Sequence, residues 1–376
     1  MNIRPFTGFF RRHLFLIISL SAAVISTTVL RPEWRQLLQM PDYRVLGLLF
    51  ALMTVIRGFC DARLPDAAAL FLLRRCRRLL PLYLVLTVLI FFFSMAVTND
   101  VALLTFVPLT LTVCRYLNIV PIRILVIETI AANLGSALTP MGNPQNLFLY
   151  SYYHLSPGEF FAVTAPLTAA AFVFLLPAAA SAAGRDSQNG VEAAALPPVP
   201  AVKKRDGAVW AVLLTVLLGA VFRAIEVWQA VALTAVVVSV VNPKLWLKTD
   251  YSLLAVFTAL FIFTGNLTAV PALKKVLPQF LGSPVSACFL AAALSQVISN
   301  VPAALLTAPF TGLWRPLLLG VNLGGLGTLI ASLASVITYQ FYIREANASS
   351  KRYLLVFTVF NALFFVLLIP VTLLIL

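Results

Sequence analysis

The chain has 376 residues, of which 61% are hydrophobic and 11% charged, and its formal net charge is +14. A soluble domain carries charge on about a quarter of its residues, so a soluble fold is excluded, and long apolar blocks without alternation exclude a lipid-facing barrel. What remains is an all-α polytopic membrane protein whose basic residues cluster between apolar blocks, as anchoring charge and not as a nucleic-acid footprint.

In chain order, Arg11 and Arg12 precede an apolar block at 13–30, and no small-residue cleavage site follows Leu30, so this block is read as a retained span. Further spans are expected at 43–60, 121–150, 159–180, 208–223, 227–243, 250–267, 316–340 and 353–376. Two blocks, 79–113 and 284–311, are interrupted by polar tips, Thr98-Asn99-Asp100 and Ser299-Asn300, and are read as re-entrant hairpins. Segments 64–78 and 271–281 are expected as amphipathic helices at the interface. Residues 181–207 form the one long polar linker. Four scattered Cys, with no CxxC pair, argue against a disulfide framework or a zinc site.

The halves on either side of the linker resemble one another. DYRVLGLLFALMTVIRGF from Asp42 parallels DYSLLAVFTALFIFTGNL from Asp250, the two polar tips match, and NLGSALTPMGNPQN from Asn133 parallels NLGGLGTLIASLAS from Asn322. The organisation read from this is an N-terminal span and loop at 1–41, a first repeat at 42–180, a cytoplasmic linker at 181–207 and a second repeat at 208–376. The first repeat holds hairpin 79–113 and broken helix 121–150; the second holds hairpin 284–311 and broken helix 316–340.

Charge sets the orientation. With both hairpins re-entrant, most Lys and Arg fall on one side, which puts the N-terminus in the cytoplasm and the C-terminus outside. Five crossings then separate the Asp42 and Asp250 helices, and an odd number inverts one repeat relative to the other. Two Pro, two Gly and three Asn in NLGSALTPMGNPQN rule out a continuous helix there. Irregular backbone survives at membrane depth only where it lines a cavity or is buried in protein, so this stretch is expected to be a binding element.

These motifs resemble the ion transporter superfamily, which includes arsenite permeases, citrate permeases and divalent anion:sodium symporters. The tips match the family's Ser-Asn-Thr and Asn-Asp signatures, and Asn133–Asn146 and Asn322–Ser335 match its two helix breaks. The second tip lacks the third hydroxyl, and Leu329 and Leu333 stand where the first break has Pro140 and Pro144, which leans toward the arsenite- and citrate-permease side. The resemblance implies inverted repeats, each with a hairpin and a discontinuous helix, in a homodimer in a bacterial inner membrane. It implies a cation-coupled secondary transporter of a small anion, either a carboxylate such as citrate or a dicarboxylate, or an inorganic oxyanion. Arsenite efflux and sodium/proton antiport are the alternatives. No cofactor is expected; the coupling ion is sodium or a proton, and no metal is expected beyond a sodium site.

Asn99 and Asn300 are the leading candidates for substrate contact, since a neutral amide both donates and accepts without a buried charge. Thr98 and Ser299 join them, and helix capping is the ordinary alternative for all four. Thr139, Gly142, Asn143 and Thr328 supply hydroxyl, amide and carbonyl groups to the same substrate site. Asn133, Asn146, Asn322 and Ser332 are assigned to the coupling ion, which prefers oxygen ligands if it is sodium. Asp100 is assigned with them, as cation ligand or proton carrier, against a helix-terminal Asp bonding free amides. Glu128 is either a relay in the cytoplasmic half or a partner for Arg123. His13 and His154 are read as structural, and the run Phe91-Phe92-Phe93 as packing. A membrane enzyme would bring clustered acids or His, and a channel would not need two matched halves.

Overall fold

The computed structural model describes residues 4–186 and 199–376, with no strand among them. Helix α1 (Arg4–Leu30) and a short α2 (Trp34–Gln39) precede α3 (Tyr43–Asp61) and α4 (Leu64–Leu73). Then come α5 (Leu79–Ala96), α6 (Asn99–Tyr116), α7 (Ile122–Ser136), α8 (Pro144–Tyr152) and α9 (Pro157–Asp186). The second half holds α10 (Lys204–Val221), α11 (Val227–Val241), the one-turn α12 (Leu245–Lys248), α13 (Tyr251–Thr268) and α14 (Pro271–Phe280). It closes with α15 (Pro284–Ile298), α16 (Asn300–Thr307), α17 (Trp314–Leu323), α18 (Leu333–Tyr342) and α19 (Ser350–Ile375). Among the described residues, α3, α5, α9, α13 and α19 are long and apolar enough to cross a membrane. Of the expected linker, residues 187–198 lie outside the described residues, while 181–186 complete α9. The side chain of His13 also lies outside them.

Helices α3 and α13 start the same way. Asp42 accepts from the backbone N–H of Arg44 and Val45 at 3.0 Å, and Asp250 accepts from those of Ser252 and Leu253 at 3.0 and 3.4 Å. Each carboxylate satisfies helix N–H groups that have no partner within the helix. Helix α4 departs from the surface helix expected at 64–78. It ends at Leu73 and buries Ala69, Leu70 and Leu73, because LPDAAALFLL is apolar nearly all round and has no polar face to give to water. Helix α14 buries none of its side chains and meets α15 at 114°.

The core is built from the interrupted elements. Helix α7 lies along α5, and α17 lies along α15. Both approaches pass through the glycine of an Asn-Leu-Gly triplet. A Cβ on Gly135 would sit 2.2 Å from the Phe91 carbonyl oxygen and 2.7 Å from Ser94 Oγ, and one on Gly324 would sit 2.7 Å from Ser295 Oγ. The halves then exchange partners: α8 packs on α16, and α18 packs on α6 and α7. Helices α9 and α19 pack together and against α7, while α10 and α11 cover α3, and α1 covers α13.

Polar contacts sort the helix ends into two groups. Tyr83, near the start of α5, donates to Asp186 at 2.9 Å; Asp186 pairs with Arg123 at the start of α7, and Arg115 at the end of α6 pairs with Glu345 at 2.9 Å. Around the other end of the broken segment, Tyr153 Oη donates to the Thr311 carbonyl at 2.8 Å, and Thr311 Oγ1 donates to the Leu281 carbonyl at 3.4 Å. The open ends of α5–α6 and of α15–α16 are thus held by two separate sets of polar contacts.

Candidate functional site

The first break is closed by its own residues. Pro140 and Pro144 carry no N–H, so the helical ladder cannot run through 140–144. Asn143 caps α8, its Oδ1 accepting from the Asn146 N–H at 2.9 Å, with Pro144 at the first helical position, where its missing donor costs nothing. Asn146 Nδ2 points back at the carbonyls of Ser136 and Ala137, at 3.4 and 3.1 Å, where α7 ends, and at that of Thr139, at 3.2 Å, which also takes the Gly142 N–H. At Gly142 the backbone folds onto Ser136, whose carbonyl oxygen would lie 2.2 Å from a Cβ.

The second break has no proline and is closed from outside. Gln296, on hairpin helix α15, donates to the carbonyls of Gly324 and Leu326 at 2.8 and 3.0 Å and accepts from the Thr328 N–H at 2.9 Å. Thr328 Oγ1 in turn donates to the Gln296 carbonyl at 3.0 Å. The first break repeats this last bond, Thr139 Oγ1 donating to the Met95 carbonyl at 2.5 Å. Met95 and Gln296 each stand three residues before a tip hydroxyl, and Thr139 and Thr328 each stand six residues after the Asn of an Asn-Leu-Gly triplet. Gln296 is not among the residues the sequence singled out; its one signal is a lone amide in an apolar helix three positions ahead of Ser299.

At the first tip, Val97 and Thr98 are extended and Asn99 is the first helical residue. Neither Thr98 nor Ser299 makes a side-chain capping bond, so the capping explanation does not account for them. Nor does it account for Asn99, whose Oδ1 takes the adjacent Asp100 N–H at 3.0 Å while Nδ2 donates to Asn133 Oδ1 at 2.9 Å. Ser299 has φ 75° and ψ 156°, a region that suits glycine and is strained for any other residue. Its hydroxyl lies 3.4 Å from both Asn300 Oδ1 and the Ala331 carbonyl, and the Asn300 amide rests against Gly325.

The two breaks meet side by side. Asn133 Oδ1 accepts from Ser332 Oγ at 3.0 Å as well as from Asn99, and Asn133 Nδ2 lies 3.4 Å from the Gly325 carbonyl. Asn322 Oδ1 accepts from Asn143 Nδ2 at 3.1 Å, and Asn322 Nδ2 donates to Asn146 Oδ1 at 2.7 Å. The arrangement is reciprocal. Each triplet Asn accepts from the residue ten positions past the other, Ser332 for Asn133 and Asn143 for Asn322. Asn99, Asn133, Asn143, Asn146, Asn300, Asn322 and Ser332 are all buried, and no charged side chain among the described residues bonds to any of them. A cluster of neutral amides and hydroxyls offers both N–H donors and oxygen acceptors at one place.

Asp100 stands at the edge of this cluster. It makes no ion pair among the described residues, and the carboxylate acting on it is Asp250, the cap of α13. Beside the tip, past Val101, lies a cavity of about 360 Å³ lined by Arg57, Asp61, Thr105, Lys248 and Asp250. Asp61 and Lys248 pair with each other, and Asn242 donates to Asp61 at 3.1 Å, which ties α12 to the end of α3. Glu128 does not partner Arg123. Arg123 turns to Asp186 at the helix end, whereas Glu128 faces α6 and accepts from Thr110 Oγ1 at 2.5 Å. His154 has φ 52° and contributes its carbonyl to Arg223 at 3.1 Å.

A family model described as the citrate transporter, CitMHS, matches residues 9–312. The chain belongs to the CitMHS citrate transporter family. This family member is 29% identical to an uncharacterized transporter of Methanocaldococcus jannaschii, over 91% of the chain and 92% of the relative. It is 35% identical to the inner membrane protein YbiR of Escherichia coli, over 81% of the chain and 80% of the relative. A shorter stretch, 38% of the chain and 18% of the relative, is 29% identical to the P protein of Homo sapiens. The protein is therefore a membrane transporter of the citrate transporter type.

Proposed function

We propose that this citrate transporter family member is a cation-coupled secondary transporter of a small anion, a carboxylate or an inorganic oxyanion, working by alternating access. The observation that carries the reading is the reciprocal crossing of Asn133 with Ser332 and Asn322 with Asn143. Unwound backbone and buried amides at the meeting point of two opposed hairpins are the setting in which secondary transporters hold substrate and ion. In this reading the two halves are repeats inverted in the membrane, and switching exposes the crossing to each side in turn.

Asn99, Asn300, Asn143, Thr139 and Thr328, with the carbonyl and N–H groups around Gly142, Thr98 and Ser299, contact the anion. Half-helices α8 and α18 begin at the crossing, and their N-terminal ends favour negative charge. Asn133, Asn146, Asn322 and Ser332 supply oxygen to a coupling sodium, and Asp100 either joins them or carries a coupling proton. The reading takes the protein as a homodimer in a bacterial inner membrane, N-terminus in the cytoplasm and C-terminus outside, without a cofactor.

A thermal-shift screen of the purified protein against citrate, dicarboxylates, sulfate, arsenite, sodium and lithium tests this. A ligand at a hundred times its Kd stabilises the folded state by about 2.7 kcal/mol. Stabilisation by a carboxylate or oxyanion that grows with a cation is the expected result. Stabilisation by arsenite alone, or by sodium and lithium with no anion, selects the efflux permease or the antiporter instead.

A further inference from the structure

Below the crossing runs a second polar feature that the anion site leaves unused. Helix α7 descends from Asn133 beside α18, and the two stay in polar contact: Thr129 Oγ1 lies 3.0 Å from Thr338 Oγ1. Between that pair and the Asn133–Ser332 bond, Ser335 has a buried hydroxyl with no hydrogen-bond partner. Tyr353 of α19 stands against both Thr129 and Glu128. Glu128, Thr129, Thr110, Ser335, Thr338 and Tyr353 are all fully buried. They form a column of one carboxyl and five hydroxyls inside a helical core.

The carboxyl is the anomaly. One Glu128 oxygen takes the hydroxyl of Thr110, and the other, Oε2, has no partner at all. Among the described residues, no element packed on α7 brings Glu128 a countercharge. Helix α6 offers Thr110 and Cys114, α18 only hydroxyls, α19 Tyr353, and α17 no charge near this depth. Tyr83 of α5 is bonded to Asp186 of α9, and Asp186 holds Arg123; Arg115 is held by Glu345. A buried carboxylate with a single hydrogen bond and no cation costs several kcal/mol, whereas a carboxylic acid with one accepted bond is tolerated.

We propose that Glu128 is a proton-binding site distinct from the hairpin tips, carrying its proton on Oε2 in this conformation, with the buried hydroxyls of Thr129, Thr338 and Ser335 spaced along α7 and α18 between it and the crossing. Loading and release are a bare proton transfer: the Oε2–H bond forms or breaks, the carboxyl gains or loses one charge, and water takes or gives the proton. Binding of the proton stands independently of the anion reading; its use in driving transport rests on that reading.

Infrared spectroscopy of the purified protein near neutral pH tests the site without any transport assay. The wild type is expected to show the carbonyl stretch of a buried protonated carboxyl, sensitive to deuterium oxide, and Glu128→Gln to lose it. Thr110→Val is expected to keep the band but move it to higher frequency, because the carbonyl oxygen loses its donor. A band left intact in Glu128→Gln overturns the proposal, as does a band unmoved in Thr110→Val. Should Glu128→Gln not yield folded protein, the Thr110→Val shift decides alone. A proteoliposome assay then reads the coupling: Glu128→Gln retains anion binding but loses acceleration by an imposed proton gradient, and a full response to the gradient removes Glu128 from coupling while leaving the infrared result standing.

Discussion

Asn143 and Asn322, which lie 179 positions apart in the chain, bond directly at 3.1 Å where the two breaks cross. Asn322 also holds Asn146, the residue that closes the first break, so one side chain ties together both unwound segments. Replacing it by Ala leaves the Asn146 oxygen without its partner in a buried place and the Asn143 amide with only Ser136 Oγ, at 3.3 Å. Such orphaned groups cost about 1–3 kcal/mol. Asn322→Ala is expected to lower the melting temperature and to abolish transport, while Asn322→Ser loses transport with a smaller drop in stability. Normal uptake by Asn322→Ala would separate the crossing from the transport site.

Gln296 offers a sharper test of how the second break is held. Gln296→Leu removes bonds to two carbonyls and one N–H at once, so about 1–3 kcal/mol of stability is lost, and transport with it. Asn146→Leu, the analogous change at the first break, is expected to behave alike. Scanning calorimetry in detergent reads the first quantity and proteoliposome uptake the second. A Gln296→Leu protein as stable and active as wild type would mean that the break is held by something else.

The hairpin tips are expected to be unequal. Asn99 is latched to Asn133, whereas Asn300 makes no equivalent bond to Asn322, and Ser299 beside it is strained. Asn99→Ala therefore costs both stability and transport, and Asn300→Ala costs transport alone. The comparison of melting temperature with uptake in the two variants checks this; equal losses of stability would refute the asymmetry.

Asp100 distinguishes the coupling ion. As a proton carrier it gives an Asp100→Asn variant that still binds and exchanges substrate but no longer accumulates it against a proton gradient. As a sodium ligand it gives a variant that needs far more sodium. Uptake measured under separate proton and sodium gradients tells the two apart, and an unchanged response to both excludes Asp100 from the mechanism.

Orientation follows from the charge pattern and is open to labelling. In a background without native Cys, single Cys at positions 77 and 204 are expected to react only from the cytoplasm, and those at positions 154 and 274 only from outside. Cytoplasmic labelling at position 274 would overturn the opposed arrangement of the two hairpins.

Composition alone made the helical, polytopic class legible, because an 11% charged fraction leaves a chain of this length no way to cover itself in water. The matched triplets at Asn133 and Asn322 are visible as words in the sequence. What they bond to is not. Arg123 and Glu128 are close in sequence, yet their i, i+5 spacing puts them on different faces of α7, and Arg123 goes to Asp186, 63 positions away. Similarly, the prolines mark where the first break lies, but only its being a lone amide in an apolar helix marks Gln296, and that does not say which break it fastens. Capping, the ordinary alternative for the tips, is local in the same way: Asn99 Oδ1 does take the adjacent Asp100 N–H, but its Nδ2 donates to Asn133, 34 positions away, which no local preference announces. Periodicity reports which face of a helix is apolar; it is silent about which distant amide completes a buried pair.

The exchange of partners between the halves, α8 on α16 and α18 on α6, also bears on how the molecule is made. When synthesis reaches Asp186, the first half has an unwound segment in the membrane whose companions do not yet exist. Its half-built core must wait in lipid, or in the keeping of an insertase, until α15 to α18 arrive. The two halves are thus better regarded as interlocking pieces than as modules. Coexpressed as separate chains divided between residues 186 and 199, they are expected to assemble together, and each alone to be degraded.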